Sequence, residues 1–296
     1  MVQAAHPFGM ARRRFLLNAS AMLFASLNPF PIGLAYANPI SSFSSRRLSI
    51  TKRGTLSRGG RDILLIPGLA SAPAIWSPLL SRLEGHRLHL VHINGFAKRA
   101  AEANATGALL KPLTDELARY VETQNLHAPV IIGHSMGGTL ALMLGLRLNN
   151  RVGQLIILDM LPDGSAMVGG TAQGFGYLAG QLNGYLTGTR AGRQILTDML
   201  RETPEGRDSD PHVIAQALTE IAQTDLSAQL KRLSIPLTVI PALPGKTDLD
   251  AAQLRRYRQA YSGVRQAKII GVGPSGHMLM QDQPGRLATI IRTIAQ

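Results

Sequence analysis

Short apolar runs alternate with longer amphipathic stretches along most of the chain, beginning at residue 48. The short runs are bounded by glycine, proline or polar residues, as buried strands are, and the longer stretches have helical spacing. This alternation predicts the α/β class, with helices wound on both faces of a doubly wound, mostly parallel sheet. The predicted strands are 48–51, 63–66, 89–93, 130–132, 155–158, 237–240 and 268–271, and the predicted helices are 75–83, 109–123, 138–148, 254–261 and 286–294.

The predicted strands at 155–158 and 237–240 are too far apart for a single crossover connection. Residues 161–233 are therefore predicted to be an insertion, a helical cap or lid beside a core formed by residues 38–160 and 234–296. Glycine recurs at every fourth position from 176 to 192 in this insertion. That spacing favours close helix packing, and it is compatible with a mobile lid over a substrate cleft.

The N-terminal segment has the features of an export signal. Arg12-Arg13, followed after one residue by Phe15-Leu16, is similar to the twin-arginine motif of bacterial signal peptides. Ala35-Tyr36-Ala37 matches a small-x-small cleavage site. The apolar run between them, 15–27, is shorter than the roughly 20 residues that a membrane-spanning helix needs. We therefore expect residues 1–37 to direct the protein through the twin-arginine export machinery to the periplasm or beyond the cell, with no stable membrane span.

Composition narrows the chemistry that the chain can perform. There are no cysteines, which excludes disulfides, thiolate metal sites and a cysteine nucleophile. The formal net charge is +13, but residues 46–61 alone contain six arginines and lysines and no acidic residue. No aromatic residue is interleaved with this basic segment, as a base-stacking surface would require. We therefore expect a solvated basic edge and no nucleic-acid partner.

The candidate nucleophile lies in the sequence Gly133-His134-Ser135-Met136-Gly137. This sequence fits G-x-S-x-G, and it stands between a predicted apolar strand and a predicted apolar helix, which is the context that the motif requires. The two glycines permit a sharp strand-to-helix turn that exposes the serine hydroxyl. The following helix directs its N-terminal amides and the positive end of its dipole at the place where negative charge would develop.

A serine hydroxyl needs a base to accept its proton. Only two histidines follow Ser135 in the chain, His212 and His277. His212 lies in the predicted cap beside Pro211, where a surface or lid role is expected. His277 lies on a glycine- and proline-containing loop after the last predicted strand, so His277 is the predicted base.

With these motifs, residues 48–296 resemble the α/β-hydrolase superfamily over nearly their whole length. The resemblance implies a Ser–acid–His triad and an oxyanion hole on the loop after the strand at 63–66. In this sequence that loop is Pro67-Gly68-Leu69, with proline where many relatives have histidine. By the same resemblance, the backbone amides of Leu69 and Met136 would bind the oxyanion.

The acid of the implied triad departs from the usual pattern. It normally follows the strand that corresponds here to 237–240, but the first carboxylate after that strand, Asp248, comes several residues late. Asp248 is favoured because the long loop could bring it to His277. Asp159, at the end of the strand 155–158, is the alternative because some superfamily members place their acid there. Asp250 is the third candidate.

Together these features predict a serine hydrolase that acts on small-molecule carboxylic esters through an acyl-enzyme, with no metal or organic cofactor. A cofactor-free perhydrolase or haloperoxidase, or a hydrolase of amide or carbon–carbon bonds, would use the same triad. Two non-enzymatic alternatives are a binding module on the same fold and a surface-binding protein that uses residues 46–61.

Overall fold

Seven strands form one sheet in the computed structural model, which describes residues 43–166, 189–201 and 204–295. The sheet order is β1-β3-β2-β4-β5-β6-β7, with β1 antiparallel to β3 and every other neighbouring pair parallel. The predicted class and the mostly parallel sheet are thereby confirmed. The strands are β1 (Leu48–Arg53), β2 (Asp62–Ile66), β3 (Arg87–Ile93), β4 (Val130–His134), β5 (Gln154–Leu158), β6 (Leu237–Ile240) and β7 (Ala267–Ile269).

Helices connect the parallel strands and cover both faces of the sheet. They are α1 (Ser77–Leu80), α2 (Leu110–Thr123), α3 (Met136–Leu148), α4 (Arg190–Arg201), α5 (Pro204–Arg207), α6 (Pro211–Gln223), α7 (Thr247–Ala260), α8 (Leu279–Asp282) and α9 (Pro284–Ile294). Short 3-10 segments lie at Pro73–Trp76, Ser81–Leu83, Glu102–Asn104, Asn149–Arg151 and Gln229–Arg232.

Alternate residues of the central strands belong to two separate hydrophobic clusters. In β2, Leu64 and Ile66 face the cluster that contains buried residues of α2, α3, α6 and α7, whereas Ile63 and Leu65 face the cluster that contains buried residues of α1, α8 and α9. Successive side chains of a strand point to opposite faces, so a strand buried on both faces must be apolar throughout. This requirement explains the uninterrupted apolar runs of β2, β4 and β5.

Between β5 and β6 the chain forms the helices α4, α5 and α6. The apolar face of α6 joins the larger cluster through Val213, Ile214 and Ile221. Just before α6, the backbone amide of Asp210 donates to the carbonyl of Gly95 at 2.7 Å, and the Ser209 hydroxyl accepts from the amide of Ala97 at 2.9 Å. The segment that leads into α6 is therefore held against the loop after β3. The domain limits at 160/161 and 233/234 stay predictions.

Two sequence predictions lie outside the described residues. These are the signal peptide at 1–37 and most of the glycine series, at positions 176 to 188. Within the described ranges, no helix combines the length and the apolar composition needed to cross a membrane.

The turn from β4 into α3 leaves no room for side chains at its two glycines. A Cβ on Gly133 would collide with the carbonyl of Gly137, and a Cβ on Gly137 would collide with the carbonyl of Ile66 in β2. Both obstacles are backbone atoms, which cannot move aside as the end of a flexible side chain can. The tight turn therefore depends on glycine at both positions, as the motif predicts.

Replacing Gly133 with alanine is expected to lower the free energy of unfolding by about 3 kcal/mol, because the new methyl group overlaps fixed backbone. Gly285→Ala is the matched control. Gly285 lies exposed in the first turn of α9, with nothing within 4 Å of a Cβ placed there. This change should leave stability unchanged or raise it by up to about 1 kcal/mol. Urea unfolding of both variants checks the difference, and equal midpoints would contradict the steric account.

Candidate active site

Ser135 occupies a strained position between β4 and α3. Its backbone has φ +53° and ψ −123°, in a region that non-glycine residues rarely adopt. Its neighbours His134 and Met136 are buried, whereas Ser135 is half-exposed. The turn therefore brings this one side chain out of the core to a place that solvent can reach.

His277 lies on the loop between β7 and α8, and its side chain is one-third exposed. Its Nδ1 is 2.7 Å from Oδ2 of Asp159, the residue that follows β5. The loop itself is held by the following helices. The Gly276 amide donates to Asp282 Oδ2 at 2.8 Å, and Gln283 Nε2 donates to the Pro274 carbonyl at 2.7 Å. The imidazole is thus fixed through its loop and through Asp159.

His134 connects the loop of His277 to the turn that carries Ser135. Its Nε2 is 2.9 Å from the backbone carbonyl of His277, and the two imidazole rings lie 4.5 Å apart between centroids. A carbonyl oxygen only accepts hydrogen bonds, so Nε2 of His134 carries the proton. Burial, with a smaller contribution from His277, lowers the pKa of His134 to about 3, so this ring stays neutral.

The contacts of His134 place His277 beside the residue that precedes Ser135. Among the described residues, the Ser135 hydroxyl makes no hydrogen bond with His277. Hydrogen bonds between a nucleophile and its base often tighten only when substrate binds. Because Nδ1 of His277 contacts Asp159, Nε2 is the nitrogen left for exchange with a serine or with substrate.

Asp159 is a buried carboxylate that accepts three hydrogen bonds. Its side chain is 7% exposed, and besides His277 it accepts from the amide of Ala242 at 3.0 Å and from the hydroxyl of Tyr257 at 2.9 Å. Burial alone would raise the pKa of Asp159, but the hydrogen bond and charge of His277, with the other two donors, outweigh it. The pKa is therefore held below its ordinary value, and the carboxylate is ionised at neutral pH.

Of the three candidate acids, the structure brings Asp159 into contact with His277. Asp248 is exposed in the first turn of α7, where a carboxylate complements the positive end of the helix dipole. Asp250, the third candidate, accepts from the Gly245 amide at 3.0 Å. The loop after β6 turns directly into α7 and carries both residues to that helix, so the alternative residue Asp159 is the one that contacts His277.

The predicted oxyanion loop lies against the turn that carries Ser135. A Cβ on Gly68 would be 3.0 Å from His134 Nδ1 and 3.2 Å from Ser135 Cβ, so the loop approaches as closely as a glycine allows. Leu69, the next residue, is half-buried. Met136 is the first residue of α3, and amides in the first turn of a helix have no acceptor within it.

Sequence reasoning missed the residues that support Asp159 and His277. The hydroxyl of Tyr257 carries no signal in the sequence beyond that of a buried aromatic residue on a helix. The Ala242 amide and the Asp282 carboxylate act through loop geometry, which no short motif encodes. In the described part of the chain, no three histidine, aspartate or glutamate side chains are grouped to hold a metal ion.

This chain is similar to several known proteins. A curated relative, the pimeloyl-[acyl-carrier protein] methyl ester esterase of Aliivibrio salmonicida (strain LFI1238), is 26% identical over 194 residues, 60% of this chain and 72% of that protein. A putative non-heme haloperoxidase of Mycobacterium phage D29 is 22% identical over 113 residues, 38% of this chain and 39% of that protein. The crystal structure of a lipase-esterase related protein from Clostridium acetobutylicum ATCC 824 shares the fold, with a TM-score of 0.62 and 17% identity over 84% of this chain and 99% of that one.

The family model for the alpha/beta hydrolase family matches residues 63–290. This range begins in β2 and ends within α9, so it includes the Gly68 loop, the Ser135 turn, Asp159 and His277. The match covers most of the chain and agrees with the strand order, and the chain therefore belongs to the alpha/beta hydrolase family.

Proposed function

We propose that this protein hydrolyses carboxylic esters through an acyl-enzyme on Ser135, with His277 as the base and Asp159 as the acid. The proposal rests on the 2.7 Å contact between His277 Nδ1 and the buried Asp159 Oδ2, made by a ring that packs against the residue preceding Ser135. The relative from Aliivibrio salmonicida, which is named as an esterase, supports the same bond type.

In the proposed reaction, Ser135 Oγ attacks the ester carbonyl carbon while Nε2 of His277 takes the hydroxyl proton. The tetrahedral intermediate collapses, the carbon–oxygen bond to the alcohol breaks, and the alcohol leaves with the proton from His277. Water then attacks the acyl-enzyme in the same way and releases the acid. The ionised Asp159 selects the His277 tautomer with the proton on Nδ1, and it stabilises the imidazolium formed in each step.

We assign the oxyanion hole to the backbone amides of Leu69 and Met136. The amide of Met136 lies at the start of α3, where the helix dipole favours negative charge. Leu69 follows Gly68, whose backbone is packed against Ser135. Each such donor typically lowers a transition-state barrier by about 3 kcal/mol.

Replacing Ser135 with alanine should reduce hydrolysis of p-nitrophenyl esters by at least about 10⁴-fold, because no other group then forms the acyl-enzyme. A panel of rising acyl chain length, assayed on residues 38–296, measures the loss and also defines acyl preference. A fluorophosphonate probe should label the parent protein and not the variant. Turnover that survives in Ser135→Ala would contradict the mechanism.

Asp159→Asn should lower kcat by about 10³- to 10⁴-fold, because the amide neither stabilises an imidazolium nor fixes the required tautomer. Asp248→Asn is the matched control: it makes the same change on an exposed helix turn, and its kcat should stay within about twofold of the parent value. Circular dichroism of both variants verifies folding. Loss of activity in Asp248→Asn alone would return the acid to the position that the sequence favoured.

We also propose that residues 1–37 direct export by the twin-arginine route, with the mature protein in the periplasm or outside the cell. The support is the Arg12-Arg13-x-Phe15-Leu16 sequence and the Ala35-Tyr36-Ala37 site.

A fusion of residues 1–37 to a fluorescent protein tests the export proposal. Periplasmic fluorescence is expected, and the double change Arg12→Lys/Arg13→Lys should abolish it, because twin-arginine recognition depends on that pair. Arg14→Lys, which alters the adjacent arginine, should retain export. This assignment would be overturned if the fluorescence stayed in the cytoplasm for the parent fusion, the double variant and the Arg14→Lys variant alike.

A further inference from the structure

The two oxygens of the Asp159 carboxylate have different partners. Oδ2 is 2.7 Å from His277 Nδ1, whereas Oδ1 accepts hydrogen bonds from both the Ala242 amide and the Tyr257 hydroxyl. A carboxylate oxygen has about two acceptor positions, so Oδ1 is fully used. Rotation of the carboxylate would break two hydrogen bonds in a buried site, and this keeps Oδ2 directed at His277.

Tyr257 is the side-chain donor in this arrangement. It lies on α7 with no exposed surface, and its hydroxyl is 2.9 Å from Asp159 Oδ1. An ionised carboxylate only accepts hydrogen bonds, so the phenol donates. Burial and the negative charge of Asp159 raise the pKa of Tyr257 well above its ordinary value, which keeps the hydroxyl protonated.

The backbone at Asp159 also needs support. Asp159 has φ +45°, a left-handed conformation that is costly for a residue with a side chain. Asp159 directly follows β5. The Ala242 amide, which donates to its side chain, follows the neighbouring strand β6. Tyr257 adds a contact from α7, so β5, the segment after β6 and α7 together define the position of the carboxylate.

We propose that Tyr257 is a positioning residue of the triad, whose hydroxyl holds the Asp159 carboxylate in the orientation that faces His277. The inference rests on the proposed function, because positioning has a kinetic consequence only if the triad works. The effect on the reaction that we assign to Tyr257 passes through its hydrogen bond to Asp159.

The residue that follows the last residue of α7 offers a matched control. Tyr261 is 2% exposed, and its hydroxyl donates to the backbone carbonyl of Met160 at 2.8 Å. Replacing either tyrosine with phenylalanine therefore removes a buried hydroxyl that donates to the segment after β5. Only Tyr257→Phe removes a donor from the carboxylate.

Kinetics on p-nitrophenyl acetate separate the two variants. Tyr257→Phe should lower kcat by about tenfold with KM unchanged, because a hydrogen bond to a charged group is lost away from the substrate. The acid limb of its pH–rate profile should move to higher pH, since the Asp159–His277 pair binds a proton more readily with one donor fewer. Tyr261→Phe should keep kcat within about twofold and leave the profile in place. Equal effects of the two changes would overturn the proposal.

A measurement that needs no activity keeps this test separate from the proposed function. The proton on His277 Nδ1 should give a downfield nuclear magnetic resonance signal that disappears in His277→Gln. The signal should shift in Tyr257→Phe and stay in place in Tyr261→Phe. An unchanged signal in Tyr257→Phe would overturn the positioning role whether or not esters are hydrolysed. A shifted signal without turnover would support the positioning role and reject the ester reaction.

Site-specific 3-fluorotyrosine at position 257 covers the case in which Tyr257→Phe does not fold. Fluorine makes the phenol a stronger donor, so the acid limb should move to lower pH, opposite to the phenylalanine variant. An unmoved limb in the folded fluorotyrosine protein would contradict the proposal.

Discussion

The contact between Asp159 and His277 determines what the rest of the candidate site can do. A buried carboxylate without partners would be strongly destabilised and would take up a proton, and a neutral acid could not stabilise an imidazolium. Here the hydrogen bonds from His277, Ala242 and Tyr257 keep the pKa of Asp159 low despite its burial. These donors come from a loop, a strand end and a helix that are far apart in sequence, so the fold as a whole maintains the charge.

The order of strands explains why these groups meet. The strands β2, β4, β5 and β6 are consecutive and parallel in the sheet, so their carboxyl ends lie along one edge. The Gly68 loop follows β2, Ser135 follows β4, Asp159 follows β5 and the Ala242 amide follows β6. Ligands and reacting groups of open α/β sheets collect at this edge because the connections there are free to vary while the strands stay fixed.

Much of the fold could be predicted from the sequence because buried parallel strands are apolar without interruption. The predicted strands agree with the observed ones to within about two residues, and Ser135 lies at the predicted strand-to-helix turn. The helix predicted at 75–83 is divided among three short segments, and Pro78 in the second of them lacks the amide proton that a continuous helix would use. Helix α7 begins at Thr247 instead of 254. Tyr257 is its only buried residue, so its earlier turns lack the buried apolar spacing from which a helix is predicted.

The carboxylate that contacts His277 was harder to predict than the turn that carries Ser135, and the reason is geometric. A nucleophile turn needs glycine at fixed positions, and those glycines are visible in the sequence. A triad acid needs only a carboxylate oxygen within hydrogen-bond distance of Nδ1 of the base. Neighbouring strands are about 4.8 Å apart, a distance that an aspartate on the loop after either strand can cover. The ends of β5 and β6 are therefore nearly equivalent starting points for a carboxylate.

What distinguishes the two strand ends here is the supply of hydrogen-bond donors. The carboxylate at the end of β5 accepts from the Ala242 amide and the Tyr257 hydroxyl, whereas the loop after β6 places Asp248 at the solvent-exposed start of α7. Which carboxylate lies beside His277 is thus decided by long-range contacts that stabilise its charge, and such contacts become visible only when the chain is folded.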